Sequence, residues 1–527
     1  MKILVSDSLS KQGVELLEQA GFTVVVKSKM PKDELFKEIK DADGLIVRSG
    51  TKVTEELIAA AEKLKVVGRA GSGLDNVDTP AATRRGIVVM NTPGGNTVTT
   101  AEHTMSMICA MSRRIPQATT SVKAGKWEKD KFMGVELFNK VLGIVGVGQI
   151  GSHLTKLAQG IGMRVIAYDP YLAADRAEKM GVEIVGLPEL FRRADIISVH
   201  TPLTPETKNL INAQSIGTMK PGVMIVNCAR GGIIHEGDLY EALKSKRVAA
   251  AAFDVFEEEP VKADNPLLSL DNFICTPHIG AQTTEAQENV AVGIAEQIVD
   301  YFTKGIARGA VNIPSVSPEL LPRLQPYLTL AEQLGKLQTQ LCEGGLERVT
   351  VEYSGDVTNL SIAPLTIAVL KGLLTPIMEA PVNYVNAPIV AKERGIEVKE
   401  VKSTDAGDFT SLIRVRVEAG KRSHLVAGTL YHKKDPRVVE IDQFKVEMVP
   451  EGHLLFIHNI DRPGVIGMVG KVLGDNSINI VRMQCALEKR GGNALLIIGS
   501  DQAFPGEVLN TIKSSKDILS VKVAALS

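Results

Sequence analysis

The chain has 527 residues, of which 44% are hydrophobic and 23% charged, and its formal net charge is -1. That length exceeds a single core; at roughly 100–200 residues per domain, three or four domains are expected. The balanced charge excludes a global field for nucleic acid or an anionic membrane, and no apolar run is long enough to span a bilayer.

In residues 1–97, "KILVSD", "TVVVKS", "GLIVRSG" and "KVVGRAGSG" are short apolar runs closing on polar or glycine turns, with amphipathic stretches between them. The alternation predicts a parallel sheet with crossover helices. One long helix is predicted over about 98–124, with no proline before Pro116. From Val141 six further runs follow: "VLGIVGVG", "MRVIAYD", "DIISVHT", "GVMIVNCARGG", "AAAFDVF" and "NFICTPH". Six strands make a full dinucleotide-binding sheet. A helix over about 283–304 comes next, and proline-rich 311–326 reads as a domain boundary. Beyond it, a helix at about 326–343 and the runs "ERVTVEYSG", "SLIRVRVEAG", "SHLVAGTLY" and "EIDQFKVEMVP" predict an α+β domain to about 450. Residues 452–527 read as strand, helix, strand, strand, helix, strand, a ferredoxin-like unit. Cys109, Cys228, Cys275, Cys342 and Cys485 include no CxxC and no regular spacing. They predict reduced, mostly buried thiols in a cytoplasmic protein, and no metal site. "MKILVSDSLS" enters a strand pattern directly, so no signal or transit segment is expected.

"GIVGVGQIGSHLTKLA" places Gly146, Gly148 and Gly151 in G-x-G-x-x-G spacing between an apolar strand and an amphipathic helix. The first glycine permits the turn, the second lets the backbone approach a pyrophosphate, and the third lets helix and strand pack closely. Asp169 ends the next strand, 18 residues after Gly151, where a carboxylate accepts hydrogen bonds from both ribose hydroxyls. Pro170 and Tyr171 follow it, not an arginine, which favours NAD over NADP. Three more residues sit at strand ends or in the loops beyond: Arg230 in "NCARGG", Glu259 in "FDVFEEEP" and His278 in "TPHIGAQT". Oxidising an alcohol with NAD requires a base, which histidine supplies near neutral pH. A carboxylate steadies the imidazolium and an arginine fork grips a substrate carboxylate. Singly, each has a plainer reading: a structural loop histidine, a solvated run of three glutamates, an arginine capping a helix. Arg48 and Arg69 end strands of the first series and supply further cations.

Together with "YDP", "HTPLTPETKNLIN", "RAGSGLDNVD" and "NTPGGNTVTTAEHT", these stretches resemble the D-isomer-specific 2-hydroxyacid dehydrogenases over about residues 1–310. The resemblance implies that His278 is a base paired with Glu259, and that Arg230 holds the substrate carboxylate. It places Arg48 and Arg69 on a phosphate, with Asn96 nearby. It sets Asp254 against the nicotinamide amide, and lines the cofactor with Ser72, Gln149, Ile150, Thr201, Cys228, Ala229 and the loop His278, Ile279, Gly280, Ala281. "LLFIHNIDRPGVIGMVGKVLGDNSINIVRMQ" resembles an ACT domain, an amino-acid-sensing module. In relatives of that kind the positions matching Asn459, Asp461 and Asn479 bind serine; the other reading is an assembly element without ligand. With "VNYVNAPIVAKERGI" the middle of the chain resembles the intervening domain of long-form phosphoglycerate dehydrogenases.

The implied α/β architecture is a two-lobed dehydrogenase with a Rossmann nucleotide-binding domain (98–282) inserted in a flavodoxin-like substrate domain (1–97 and 283–312). An α+β intervening domain (313–449) and a ferredoxin-like ACT domain (450–527) follow. The implied activity is NAD-dependent oxidation of D-3-phosphoglycerate, the first step to serine, in a serine-regulated homotetramer. The alternatives are another D-2-hydroxyacid dehydrogenase or 2-ketoacid reductase, and an NAD-sensing corepressor.

Overall fold

The structure is a computed structural model that describes residues 1–314, 319–420, 422–489 and 491–526. It divides into two compact units, one of Met1–Ser8, Val14–Asn91 and Ile294–Ser527, the other of Leu9–Gly13 and Thr92–Gly293. The proline-rich boundary expected at 311–326 falls partly outside the described residues, at 315–318. Its later part is already helical, in Leu321–Leu341, with Pro322 in the first turn. There its missing N–H has no intrahelical acceptor to lose.

In the first unit, β1 (Lys2–Val5), β2 (Thr23–Val26), β3 (Gly44–Val47), β4 (Val66–Arg69) and β5 (Val88–Asn91) form a parallel sheet in the order β2-β1-β3-β4-β5. This is the flavodoxin-like order. β3 and β5 are buried at every residue, which is why they read as unbroken apolar runs. β5 is a strand beyond the four the sequence series contained; periodicity does not separate so short an apolar run from a buried helix turn.

The second unit holds β6 (Val141–Val145), β7 (Arg164–Tyr168), β8 (Glu183–Ile184), β9 (Ile196–Val199), β10 (Val223–Asn227), β11 (Val248–Phe253) and β12 (Phe273–Cys275). Their order, β12-β11-β10-β9-β6-β7-β8, is that of a doubly wound nucleotide-binding sheet, with seven strands where six were expected. The extra one, β8, is two exposed residues, too short and too polar to leave a signal. The single helix expected over 98–124 is two, Thr97–Ser112 and Ile115–Lys123, broken at Arg114 in the left-handed conformation. A proline ring at 116 would clash with the carbonyl four residues back, so one continuous helix is excluded.

The remainder of the first unit carries β13 (Arg348–Gly355), β14 (Glu397–Ser403), β15 (Ser411–Ala419), β16 (Arg422–Tyr431), β17 (Asp435–Ile441) and β18 (Phe444–Met448). They form one sheet, β14-β13-β15-β16-β17-β18. Two helices, Leu321–Leu341 and Ala363–Leu374, join its core. The helices touch backbone to backbone: a Cβ on Gly335 would overlap the Val369 carbonyl, and one on Gly372 the Glu332 carbonyl. The second of these helices and β14 were not among the predicted elements. β19 (Gly452–Ile460), β20 (Arg482–Leu487), β21 (Asn493–Ser500) and β22 (Ile518–Leu526) pair as β20-β21-β19-β22 beneath two helices, the expected ferredoxin-like unit. Alternation gives this sheet two buried faces. Leu455, Ile457, Leu496 and Ile498 pack on its own helices, while Leu454, Phe456, Leu495 and Ile497 join the core of the six-stranded sheet.

Of the five free thiols, Cys228 alone is buried. The expectation of mostly buried cysteines fails because Cys275 and Cys485 lie on the edge strands β12 and β20. Among the described residues no helix is long and apolar enough to cross a membrane.

Candidate active site

The nucleotide loop follows β6. Gly146 has φ +93, and a Cβ there would stand 2.6 Å from the His200 carbonyl oxygen. A Cβ on Gly151 would overlap the Gly146 carbonyl, so helix and loop make the close approach that the spacing predicts. Gly148 faces open space. It caps the Gln149–Gly160 helix without any side-chain hydrogen bond, leaving first-turn N–H groups and the positive end of the helix for an anion. Asp169 accepts from Val147 N–H at 2.8 Å and Tyr171 N–H at 2.9 Å. Those bonds pin the carboxylate beside the loop and leave lone pairs for ribose hydroxyls. The Thr201 hydroxyl is buried without a partner, as a group awaiting a ligand would be. Gln149 accepts from Thr97 Oγ1 at 3.0 Å, and Ile150 packs on the core under the sheet. Burial, with help from Asp254, pushes the Cys228 thiol up to about 12, so it is a neutral, unreactive group. These features fit a dinucleotide.

The catalytic candidates meet in the same unit. His278 Nδ1 lies 2.7 Å from Glu259 Oε2, and Glu259 Oε1 accepts from the Phe256 N–H at 3.1 Å. The hydrogen bond to Glu259 holds the imidazole above its ordinary pKa, against the opposing effects of burial and of Arg230. Burial works to raise the Glu259 carboxyl, but the hydrogen bond and charge of His278 together with the Phe256 N–H hold the group below the usual range. His200 is different: burial pushes it down to about 4, so it stays neutral. Arg230 sits on a loop tied by Asn227, which donates to the Arg230 carbonyl at 2.8 Å and accepts from Ala229 N–H at 3.0 Å. Gly231 lets that loop press on the Glu259 segment, since a Cβ there would overlap the Phe256 carbonyl.

Asp254 is 1% exposed and lies beneath the loop that carries His278. Its carboxylate accepts from Thr276 Oγ1 at 2.6 Å, Ile279 N–H at 2.8 Å and Gly280 N–H at 2.8 Å. Burial would raise its pKa, but these donors and His103 hold it below the usual range. The residue expected to face the nicotinamide amide also holds Ile279 and Gly280, with Ala281 next along the chain.

Arg48, Arg69 and Ser72 belong to the first unit, and Asn96 to the second. Arg48 donates its N–H to Asp7 at 2.6 Å, and its carbonyl accepts from Asn76 Nδ2 at 2.6 Å. Burial draws its guanidinium below the ordinary value, against the pull of Asp7. Arg69 ends β4 and folds back over Gly71, where a Cβ would overlap its guanidinium. The Ser72 carbonyl accepts from Asn91 Nδ2 at 2.7 Å, and Asn96 donates to Thr100 Oγ1 at 3.3 Å. In the ferredoxin-like unit, Asn459 is 4% exposed with its Oδ1 buried and unpartnered. Asp461 accepts from Gly491 N–H at 2.9 Å. Asn479 is exposed, beyond the far end of the Val465–Asp475 helix.

The model of the D-isomer specific 2-hydroxyacid dehydrogenase NAD binding domain matches residues 105–280, and that of the D-3-phosphoglycerate dehydrogenase intervening domain matches 323–442. The chain is 46% identical over 527 residues to the D-3-phosphoglycerate dehydrogenase of Methanocaldococcus jannaschii, covering 100% of both. The chain belongs to the D-3-phosphoglycerate dehydrogenase family. It is also 42% identical to the Bacillus subtilis member, over 100% of this chain and 99% of that one. Among solved structures, the NAD+-bound 3-phosphoglycerate dehydrogenase of Entamoeba histolytica superposes with a TM-score of 0.50 at 35% identity, covering 60% of this chain and 99% of that one. This family member is an NAD-dependent oxidoreductase.

Asp7, Asn76, His103 and Thr276 were not singled out from the sequence, although each fixes a residue that was. Their signal is the short hydrogen bond to a partner distant in sequence, which no local pattern carries. For the cofactor, Asp169→Ala removes a charged acceptor worth about 1.5–3 kcal/mol, so NADH binding weakens about 10–100-fold. Titration of NADH fluorescence measures it; an unchanged affinity would place the ribose elsewhere.

Proposed function

We propose that this dehydrogenase oxidises D-3-phosphoglycerate to 3-phosphohydroxypyruvate, the first step of serine biosynthesis. The observation that carries the reading is the His278–Glu259 pair at 2.7 Å in a chain 46% identical over its whole length to a protein named for that activity. NAD held at this loop would supply the acceptor for the hydride released from C2. His278 takes the hydroxyl proton at Nε2, because its Nδ1 is turned to Glu259. Glu259 keeps the imidazole in the Nδ1–H tautomer and stabilises the imidazolium that forms. Arg230 grips the carboxylate with its planar fork and polarises the carbonyl as it develops. Arg48 and Arg69, with Asn96, serve the phosphate. The loop Gly146, Gly148, Gln149, Ile150 and Gly151 holds the pyrophosphate, and Asp169 the ribose. Asp254 faces the nicotinamide amide, and Ser72, Thr201, Cys228, Ala229 and residues 278–281 line the rest.

On this reading residues 1–97 and 283–312 bind substrate, 98–282 bind NAD, 313–449 form the intervening regulatory domain, and 450–527 an ACT domain. Serine is the effector, at Asn459, Asp461 and Asn479. The buried, unpartnered Asn459 Oδ1 supports a ligand there. Asn479 lies past the other end of an eleven-residue helix, about 16 Å long, so a site using all three side chains draws them from neighbouring copies. The protein works as a cytoplasmic homotetramer.

The test is NADH formation from D-3-phosphoglycerate with and without serine. Turnover that falls with serine in the native chain, and not in Asn459→Ala, supports both parts. Turnover indifferent to serine keeps the enzyme and removes the effector. A folded, NADH-binding protein without turnover on this substrate overturns the proposal.

A further inference from the structure

Along the first turns of the Thr97–Ser112 helix, Asn96, Thr99, Thr100 and His103 share one face at helical spacing. Three of them reach the segment that carries the base. Thr99 Oγ1 lies 3.1 Å from Thr283 Oγ1, and Thr100 Oγ1 donates to the Gly280 carbonyl at 3.1 Å. His103 Nε2 lies 3.1 Å from Thr276 Oγ1 and 3.3 Å from Asp254 Oδ1.

The directions of these bonds follow from what each group can do. An ionised Asp254 only accepts, so Thr276 spends its one hydroxyl proton on Asp254. Thr276 therefore accepts at its other contact, and His103 carries its proton on Nε2. The chain of donors runs from His103 through Thr276 to Asp254, which in turn holds the Ile279 and Gly280 amides. His278 sits between Thr276 and Ile279, donates its own N–H to the Thr276 carbonyl at 3.0 Å, and has φ +54. A non-glycine residue holds that left-handed conformation only when its surroundings impose it.

We propose that His103 is a positioning residue for the general base, anchoring Thr276 and Asp254 so that the 276–280 loop presents the His278 ring to Glu259. This rests on the reading of His278 as the base. His103 acts through the loop and takes no proton from substrate. Glu259, Asp254 and Arg230 are the charged groups that act on His278. Loosening the loop reduces the Glu259 contact, which is the main cause of its raised pKa.

The experiment is the pH dependence of kcat/KM for oxidation in the intact enzyme, comparing wild type with His103→Phe, His103→Gln and the isosteric Thr276→Val. In His103→Phe, which lacks the donor, kcat/KM falls about tenfold, the worth of a hydrogen bond to a charged network. Its acid limb moves to lower pH as His278 relaxes toward its ordinary value. His103→Gln keeps an amide donor and restores the limb. Thr276→Val breaks the relay with little change of volume and shifts the limb as His103→Phe does; it decides the matter if His103→Phe does not fold. A loss of folded enzyme lowers the whole profile without moving the limb. The proposal is overturned if the limb stays at the wild-type pH in His103→Phe and Thr276→Val, or if His103→Gln shifts it as far as His103→Phe. His278→Ala serves as the control. If that variant keeps the limb, the reading of His278 as the base has failed, which is a separate outcome.

Discussion

Replacing His278 by alanine lowers kcat for oxidation by about 10²–10⁴-fold, the usual worth of a positioned general base. The nucleotide loop, the helix N-terminus beyond Gly148 and Asp169 are untouched by the change, so most of the NADH affinity remains. The pH dependence carries the sign. His278 is held above its ordinary pKa, chiefly by the hydrogen bond to Glu259. Oxidation needs the neutral imidazole, so kcat/KM in that direction rises with pH through this raised pKa. Reduction needs the imidazolium, so the reverse rate falls with rising pH through the same pKa. Glu259→Gln removes the charge that favours the imidazolium, and both limbs move to lower pH. Rate profiles in both directions measure this. A wild-type limb at or below the ordinary histidine value would remove Glu259 as the partner that tunes the base.

The second large effect is at a residue with no functional group. Gly231→Ala places a methyl group inside the Phe256 carbonyl, with the Glu257 amide also in its way. Backbone cannot yield as a flexible side chain does. Either the Arg230 loop or the segment carrying Glu259 must move, and a 1 Å misplacement at a site costs on the order of 10²-fold in rate. The expected result is a fall in kcat/KM of about 10²-fold, with NADH binding largely kept. An overpacked contact also destabilises by about 1–3 kcal/mol, so the melting temperature drops. Steady-state kinetics beside calorimetry separate the two effects. A variant that melts lower but turns over at the native rate would show that the loop relaxes without disturbing Arg230 or Glu259.

Much of the site was legible because its signals are local. The glycine spacing at 146, 148 and 151, the acid at the end of β7, and the polar residues just beyond β10 and β12 follow from what one strand and its following turn must do. The βαββαβ order at the C-terminus was legible for the same reason: strands and helices alternate there with clear periods. Elements with weak local signals were missed. β8 is two exposed residues, and β14 is a charged edge strand that pairs only because β13 offers it a partner. The break at Arg114 was missed because helical periodicity continues across it, while a proline two residues later forbids the backbone to follow.

The sequence by itself determined the parallel nucleotide-binding sheet, the glycine loop after β6 and the placing of His278, Glu259 and Arg230 at strand ends or in the loops beyond. Each is set by side-chain type at fixed spacing within one strand–turn unit. Tertiary structure alone decided what Asp254 does, because a carboxylate's role depends on which donors surround it. Those donors come from Thr276, Ile279, Gly280 and a helix some 150 residues earlier, at His103. It alone decided that the second face of the ferredoxin-like sheet packs into the core of the six-stranded sheet. Strand alternation marks both faces as apolar, but which partner covers each depends on how distant segments pack, and adjacent residues do not encode that.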